Sequence, residues 1–277
     1  MSVTNGSGTV PPRASAGMSA LVRDIAVTGI AGLLVGAVVV GLGGRLFMRI
    51  AGAVTPDAIQ GATTEAGARI GEITLGGTLA IVIFVGIPAG IVGAALAVIF
   101  LPWLAWAGPW RGVAFGVVLF ALASASSDVM NPDNIDFLLI RNGSLMVAMI
   151  VLLFIAFGVA MDAAVGTLDR RLPLGASGSR ARAAYAAMAA IGLALVGLML
   201  PLTLFTSGFC SCDPPIVASA FALVAGMGTV LTWLAPGPSA ASSAVRVGRV
   251  LGYGGLAGTL AFGLARALAD ASDIAVR

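Results

Sequence analysis

An all-α fold, a polytopic bundle of about seven transmembrane helices with a small outward-facing loop and hairpin cap, is predicted by three observations. Only 10% of the 277 residues are charged and 59% are hydrophobic, with a mean hydropathy of +1.05. A soluble chain carries about a quarter charged residues, so this one cannot cover a water-facing surface. Uncharged runs recur at membrane-crossing length, about 20 apolar residues being what a helix needs to traverse roughly 30 Å of hydrocarbon. Glycine, at 38 residues, is about twice its usual share of roughly 7%, and membrane helices are glycine-rich.

The elements follow in order. Residues 1–20 are rich in Gly, Ser, Thr and Pro and read as a disordered leader. The apolar run after it exceeds a signal-peptide core of about 7–15 residues and lacks an A-x-A site, so it is expected to stay attached. The spans are 25–44, 77–100, 112–127, 143–165, 184–206, 215–234 and 247–268. In the last, Arg249 and Arg266 snorkel to opposite surfaces. The segment 45–54, RLFMRIAGAV, either extends the first helix or lies along the interface. Pro88 leaves the Phe84 carbonyl without its helical donor and should bend the second helix. Pro102, Trp103, Trp106, Pro109 and Trp110 are expected at the membrane interface, where tryptophan collects.

The organisation is a four-helix half, 21–165, with outward connections 45–76 and 128–142. An arginine-rich linker, 166–183, leads to a three-helix half, 184–268, and a tail, 269–277. No internal repeat crosses the linker, so nothing favours an inverted-repeat transporter. With the N-terminus inside, nine arginines fall on the cytoplasmic side and six outside, which sets the orientation by the positive-inside rule. Arg45 and Arg49, directly after the first span, count against it. Gly32/Gly36, Gly86/Gly90, Gly112/Gly116, Gly248/Gly252 and Gly254/Gly258 are G-x-x-x-G pairs, grooves that admit another helix backbone. They are read as internal packing faces, a homo-oligomer or membrane-protein contact being the other reading.

Absent residue types narrow the chemistry. There is no histidine and every basic residue is arginine. His-ligated metals, Ser-His-Asp triads, Walker A lysines and Schiff bases are therefore excluded. No cofactor is predicted. The formal charge of +3 is too small and too scattered for nucleic acid, and the expected partner is the lipid bilayer. No Asp, Glu or Arg sits mid-span, which counts against a proton-coupled pump.

Candidate site residues gather in the two long outward connections: Asp57, Glu65, Glu72, Asp128, Asn131, Asp133, Asn134, Asp136 and Arg141. The first connection reads as a hairpin with strands near 59–64 and 68–74. The second offers hard-oxygen ligands for Ca²⁺ or Mg²⁺. Ile135 breaks the EF-hand pattern, and an Asn-Pro-Asp turn capping its own backbone is the simpler reading. Cys210 and Cys212, one residue apart, would strain a disulfide and are read as structural or incidental.

The stretch GGRLFMRIAGAVTPDAIQGATTEAGARIGEITLGGTL, with NPDNIDF downstream, resembles a group of multi-pass membrane proteins of high-GC, actinobacterial type, over roughly residues 23–165. That resemblance implies a bacterial cytoplasmic membrane and no particular activity. The residues leave three functions open. The foremost is a non-enzymatic membrane protein, structural or ligand-sensing through the acidic outer cap. The others are a passive permease for a small neutral solute and an enzyme using outer-face carboxylates.

Overall fold

The computed structural model describes residues 18–54, 74–126, 128–133, 142–171, 216–234 and 243–276, with single helical positions at 183, 187 and 190. Among the described residues the fold is all helix, with no strand. The predicted hairpin at 59–64 and 68–74 lies outside them but for residue 74. So do Cys210 and Cys212, and the fifth span, 184–206, lies outside apart from positions 187 and 190.

The first helix, α1, spans residues 18–54, as α-helix Met18–Val35, a π-helical stretch Gly36–Leu42 and α-helix Gly43–Val54. It therefore continues through Arg45 and Arg49, where the uncharged run stops. The second, α2, spans 75–100, as Leu75–Ile81, a π-helical stretch Val82–Gly86 and Ile87–Phe100. Pro88 does not end it. A π turn pairs each carbonyl with the amide five residues on, so the widened stretch in front of Pro88 suits the carbonyl that proline leaves without a donor. A 3₁₀ segment, Leu101–Trp110, follows, and Gly108 turns it with φ 53°, a left-handed conformation natural to glycine. The rest are α3 (Arg111–Ser126), a 3₁₀ turn at Asp128–Met130, α4 (Gly143–Arg171), α5 (Ile216–Leu234) and α6 (Ser243–Val276).

Three stretches, Val22–Val54, Leu75–Ser126 and Gly143–Arg171, are long and apolar enough to cross a membrane; Val217–Trp233 is apolar but shorter, and α6 is not among them. The second stretch is two arms that run in opposite directions, as their partners show. Gly32 of α1 meets Gly90 and Ala94, Gly36 meets Gly86, and Gly41 meets Val82, so α2 is antiparallel to α1. Arg23 bonds Asp169 while Gly43 meets Leu153, so α4 is antiparallel to α1. Gly112 meets Val159 and Gly116 meets Ile155, so α3 opposes α4 and hence α2.

These approaches are backbone to backbone. A Cβ at Gly36 would lie 2.6 Å from the Gly90 Cα, one at Gly116 2.7 Å from the Ile155 Cα, and one at Gly228 2.8 Å from the Gly252 Cα. Without side chains at these crossings the helices gain dispersion contacts along their whole seam, which is what holds helices together where lipid removes the hydrophobic drive. Four of the five predicted glycine pairs have at least one partner backbone or ring pressed on each glycine. In the fifth, Gly258 meets the Phe221 ring but Gly254 meets nothing within 4 Å, and Gly255 takes the contact with Ala225 instead. A single apolar cluster then joins Phe100, Leu104, Phe115, Phe157 and Met161 to Ala222, Ala225 and Leu256, so residues from both sides of the arginine-rich linker share a core.

Candidate functional site

Pairing directions sort the helix ends into two groups. At one end lie the start of α1, the 3₁₀ segment, the start of α3, the ends of α4 and α5 and the start of α6. At the other lie the end of α1, the starts of α2, α4 and α5, and the ends of α3 and α6.

The first end is tied by ion pairs. Buried Arg23 donates to the Asp169 carboxylate at 2.6 Å and its carbonyl at 2.9 Å, with Asp24 at 3.6 Å. Arg111 donates to Asp162 through Nε at 2.7 Å, and its Nη2 also contacts that carboxylate. Both bridges clamp α4, to α1 and to α3. These residues look like loose span-end charges in the sequence; the signal that pairs them is opposite charge at matching depth on antiparallel helices.

Trp103 is set apart from the other two tryptophans of its segment. Trp106 and Trp110 are exposed, but Trp103 is buried within the bundle. Its ring lies on Gly252 and edge-on to Tyr253, and its Nε1 donates to Thr229 Oγ1 at 2.8 Å. α5 carries the hydroxyl that the buried indole N–H needs as an acceptor.

The second end holds the predicted polar cap. Asn131 accepts the Asp133 amide at 3.0 Å, which makes Asn131-Pro132-Asp133 a self-capping turn, and Asp133 is exposed. Asp128 starts the short 3₁₀ turn, which Met130 anchors by full burial. Asn142 caps α4, accepting the Leu145 amide at 3.2 Å. Asp57, Glu65, Glu72, Asn134, Asp136 and Arg141 lie outside the described residues. Among the described residues no three His, Cys, Asp or Glu side chains gather as metal ligands.

Two buried charged groups at this end, Arg45 and Asp270, are not among the predicted site residues. Arg45 is 7% exposed, and its Nε has no hydrogen-bond partner. Its Nη2 points to the Thr74 carbonyl at 3.5 Å and presses on Gly77. Thr74 itself caps α2, accepting the Gly77 amide at 3.1 Å. On α6, two residues beyond the predicted seventh span, burial pushes the Asp270 carboxyl above its ordinary value of 3.8. Arg266, at 3.2 Å, pulls it back and Asp273 adds to the rise.

The sign for Asp270 follows from linkage. A raised folded-state value means the folded protein holds the proton more tightly, so its contribution to stability is complete below 3.8 and is lost as pH rises through the elevated value. The purified protein is expected to lose thermal stability across that acidic window, and Asp270→Asn to flatten the loss. An unchanged slope in the variant would assign the effect to another group.

Comparison with protein families, with curated proteins and with solved structures finds no match for this chain.

Proposed function

We propose that this chain is a multi-pass protein of the bacterial cytoplasmic membrane, N-terminus inside, that works without catalysis as a structural or ligand-sensing bundle through its outer end. The observation that carries the reading is how the described helices use their three buried threonines, Ser124 being a buried hydroxyl without a partner among the described residues. Thr28 donates to the Asp24 carbonyl at 2.6 Å and Thr259 to the Gly255 carbonyl at 2.8 Å. Thr229 accepts from Trp103 and lies 2.9 and 3.1 Å from the Ile99 and Ala225 carbonyls. Hydroxyls turned back on helix carbonyls do not line a polar passage. Between them the crossings are closed by glycine against backbone and by the aromatic cluster around Phe100 and Phe115. Such an interior supports a closed bundle over a solute path.

The test is flux. Proteoliposomes loaded with glycerol or urea are expected to equilibrate no faster than empty liposomes after an osmotic step; protein-dependent acceleration would make the permease reading correct. Topology is checked separately with reporter fusions. One after Ser177 should report inside and one after Ser272 outside. Both on one side would remove a crossing from the second half.

A further inference from the structure

We propose that Arg45 and the first turn of α2 bind a phosphate-type oxyanion at the end of the bundle where α1 finishes and α2 begins. Three of the described arginines, Arg23, Arg111 and Arg266, each hold a carboxylate. Arg45 is as buried as Arg23, yet no ion pair among the described residues includes it, and its Nε has no partner. Its one hydrogen bond among the described residues, to the Thr74 carbonyl, is 3.5 Å long, at the outer limit for such a contact. A buried guanidinium without a counter-charge is strongly unfavourable.

Its surroundings make the imbalance worse. The guanidinium faces the N-terminal turn of a helix that continues for 26 residues, Leu75 to Phe100, and that turn carries the positive end of the helix dipole. Two positive groups converge, an arrangement that an anion between them relieves. The guanidinium lies directly against this turn. Gly77 has no Cβ, which would overlap Nη2, and a Cβ at Gly76 would meet nothing within 4 Å. The Gly77 amide is taken by Thr74 Oγ1, while Leu75 and Gly76, which precede it in the turn, are exposed. Arginine's planar fork suits the paired oxygens of a phosphate. The source is either a lipid headgroup or free phosphate.

The experiment uses the full chain in detergent and reads thermal stability in three arms: inorganic phosphate against chloride at equal ionic strength, phosphatidylglycerol, and diacylglycerol, which has the same tails without phosphate. A rise in melting temperature with phosphate or with phosphatidylglycerol, and none with diacylglycerol, is expected, and which of the two acts identifies the source. Arg45→Gln should abolish the rise, and Arg45→Lys, which keeps charge but not the fork, should raise the half-saturating concentration about tenfold. Gly77→Ala tests the same geometry with Arg45 intact and should weaken binding similarly. Equal shifts with diacylglycerol, an unchanged response in Arg45→Gln and Gly77→Ala, or no response in the parent would each overturn the site. So would a parent whose stability falls as far with Glu72→Gln as with Arg45→Gln, since the counter-charge would then be internal. The site does not depend on a closed bundle: solute flux would overturn that reading and leave the phosphate response unchanged.

Discussion

Gly36→Leu is expected to yield no monodisperse protein in detergent, and Gly36→Ala to yield protein of much reduced melting temperature. Gly36 faces the Gly86 carbonyl and the Gly90 backbone, where an added Cβ would sit 2.6 Å from the Gly90 Cα and 2.8 Å from its nitrogen. A flexible side chain yields to an intruding methyl at modest cost, but a helix backbone yields only by moving the whole rod. Overpacking a well-filled core costs about 1–3 kcal/mol per site. With backbone on the other side, Gly36→Ala belongs at the top of that range or beyond it. Leucine adds three more carbons to the same gap. The control is Gly254→Ala, on a glycine with nothing within 4 Å. There helix propensity alone acts, favouring alanine by up to about 1 kcal/mol. Size-exclusion chromatography and thermal unfolding of the three variants decide it. If Gly36→Ala and Gly254→Ala behaved alike, α1 and α2 would not meet at these glycines.

That contact was half legible in advance. A glycine pair one turn apart announces a close approach, because spacing on a single helix is a local property. Which partner fills the groove is not local. Gly32/Gly36 and Gly86/Gly90 turn out to fill each other, whereas Gly112/Gly116 takes the lone Gly158 and its neighbours, and Gly248/Gly252 takes Gly228 and the Trp103 ring. Helix lengths are set by a related rule. Scanning for uncharged runs stops at the first arginine, but an arginine does not break a helix. α1 passes Arg45 and Arg49 to Val54, the helical one of the two readings open for 45–54, and α4 runs beyond the predicted 143–165 to Arg171. Pro88 sits two residues beyond the π turn, inside a helix that runs on to Phe100.

The predicted cap shows the limit of counting polar residues. Asn131 and Asn142, two of the most conspicuous, spend their side chains on the backbone, one in a turn and one in a cap. Short Asx side chains bond their own neighbourhood more readily than a ligand. Arg45 reads in sequence only as a charge on the wrong side of a topology count. Its interest arises from burial, and burial depends on α2 folding back across it, which no single segment of the sequence encodes.

The second large effect is expected at Trp103. Trp103→Ala should cost about 3–5 kcal/mol, the range for deleting a large buried aromatic side chain. The indole lies on Gly252, its Nε1 reaches Thr229, and Thr229 in turn lies 2.9 Å from the Ile99 carbonyl on α2. One side chain thereby joins the 3₁₀ segment to α5 and α6. Volume and hydrogen bond contribute unequally, and their magnitudes separate them. Hydrogen bonds between membrane helices average about 0.6 kcal/mol and reach about 1.7, so the bond alone is the smaller part. Trp103→Phe keeps an aromatic ring of reduced size and should cost less than half of what Trp103→Ala does. Thr229→Val keeps volume but leaves the indole N–H buried without an acceptor, which costs about 1–3 kcal/mol. The two lesions share one bond, so Trp103→Phe with Thr229→Val should cost less than their sum by at least about 0.5 kcal/mol, the lower bound for coupled neighbours. Thermal unfolding of the four proteins completes the cycle. Strict additivity would mean that the indole and the threonine do not meet, and the 3₁₀ segment would then be held by packing on Gly252 and Tyr253 alone.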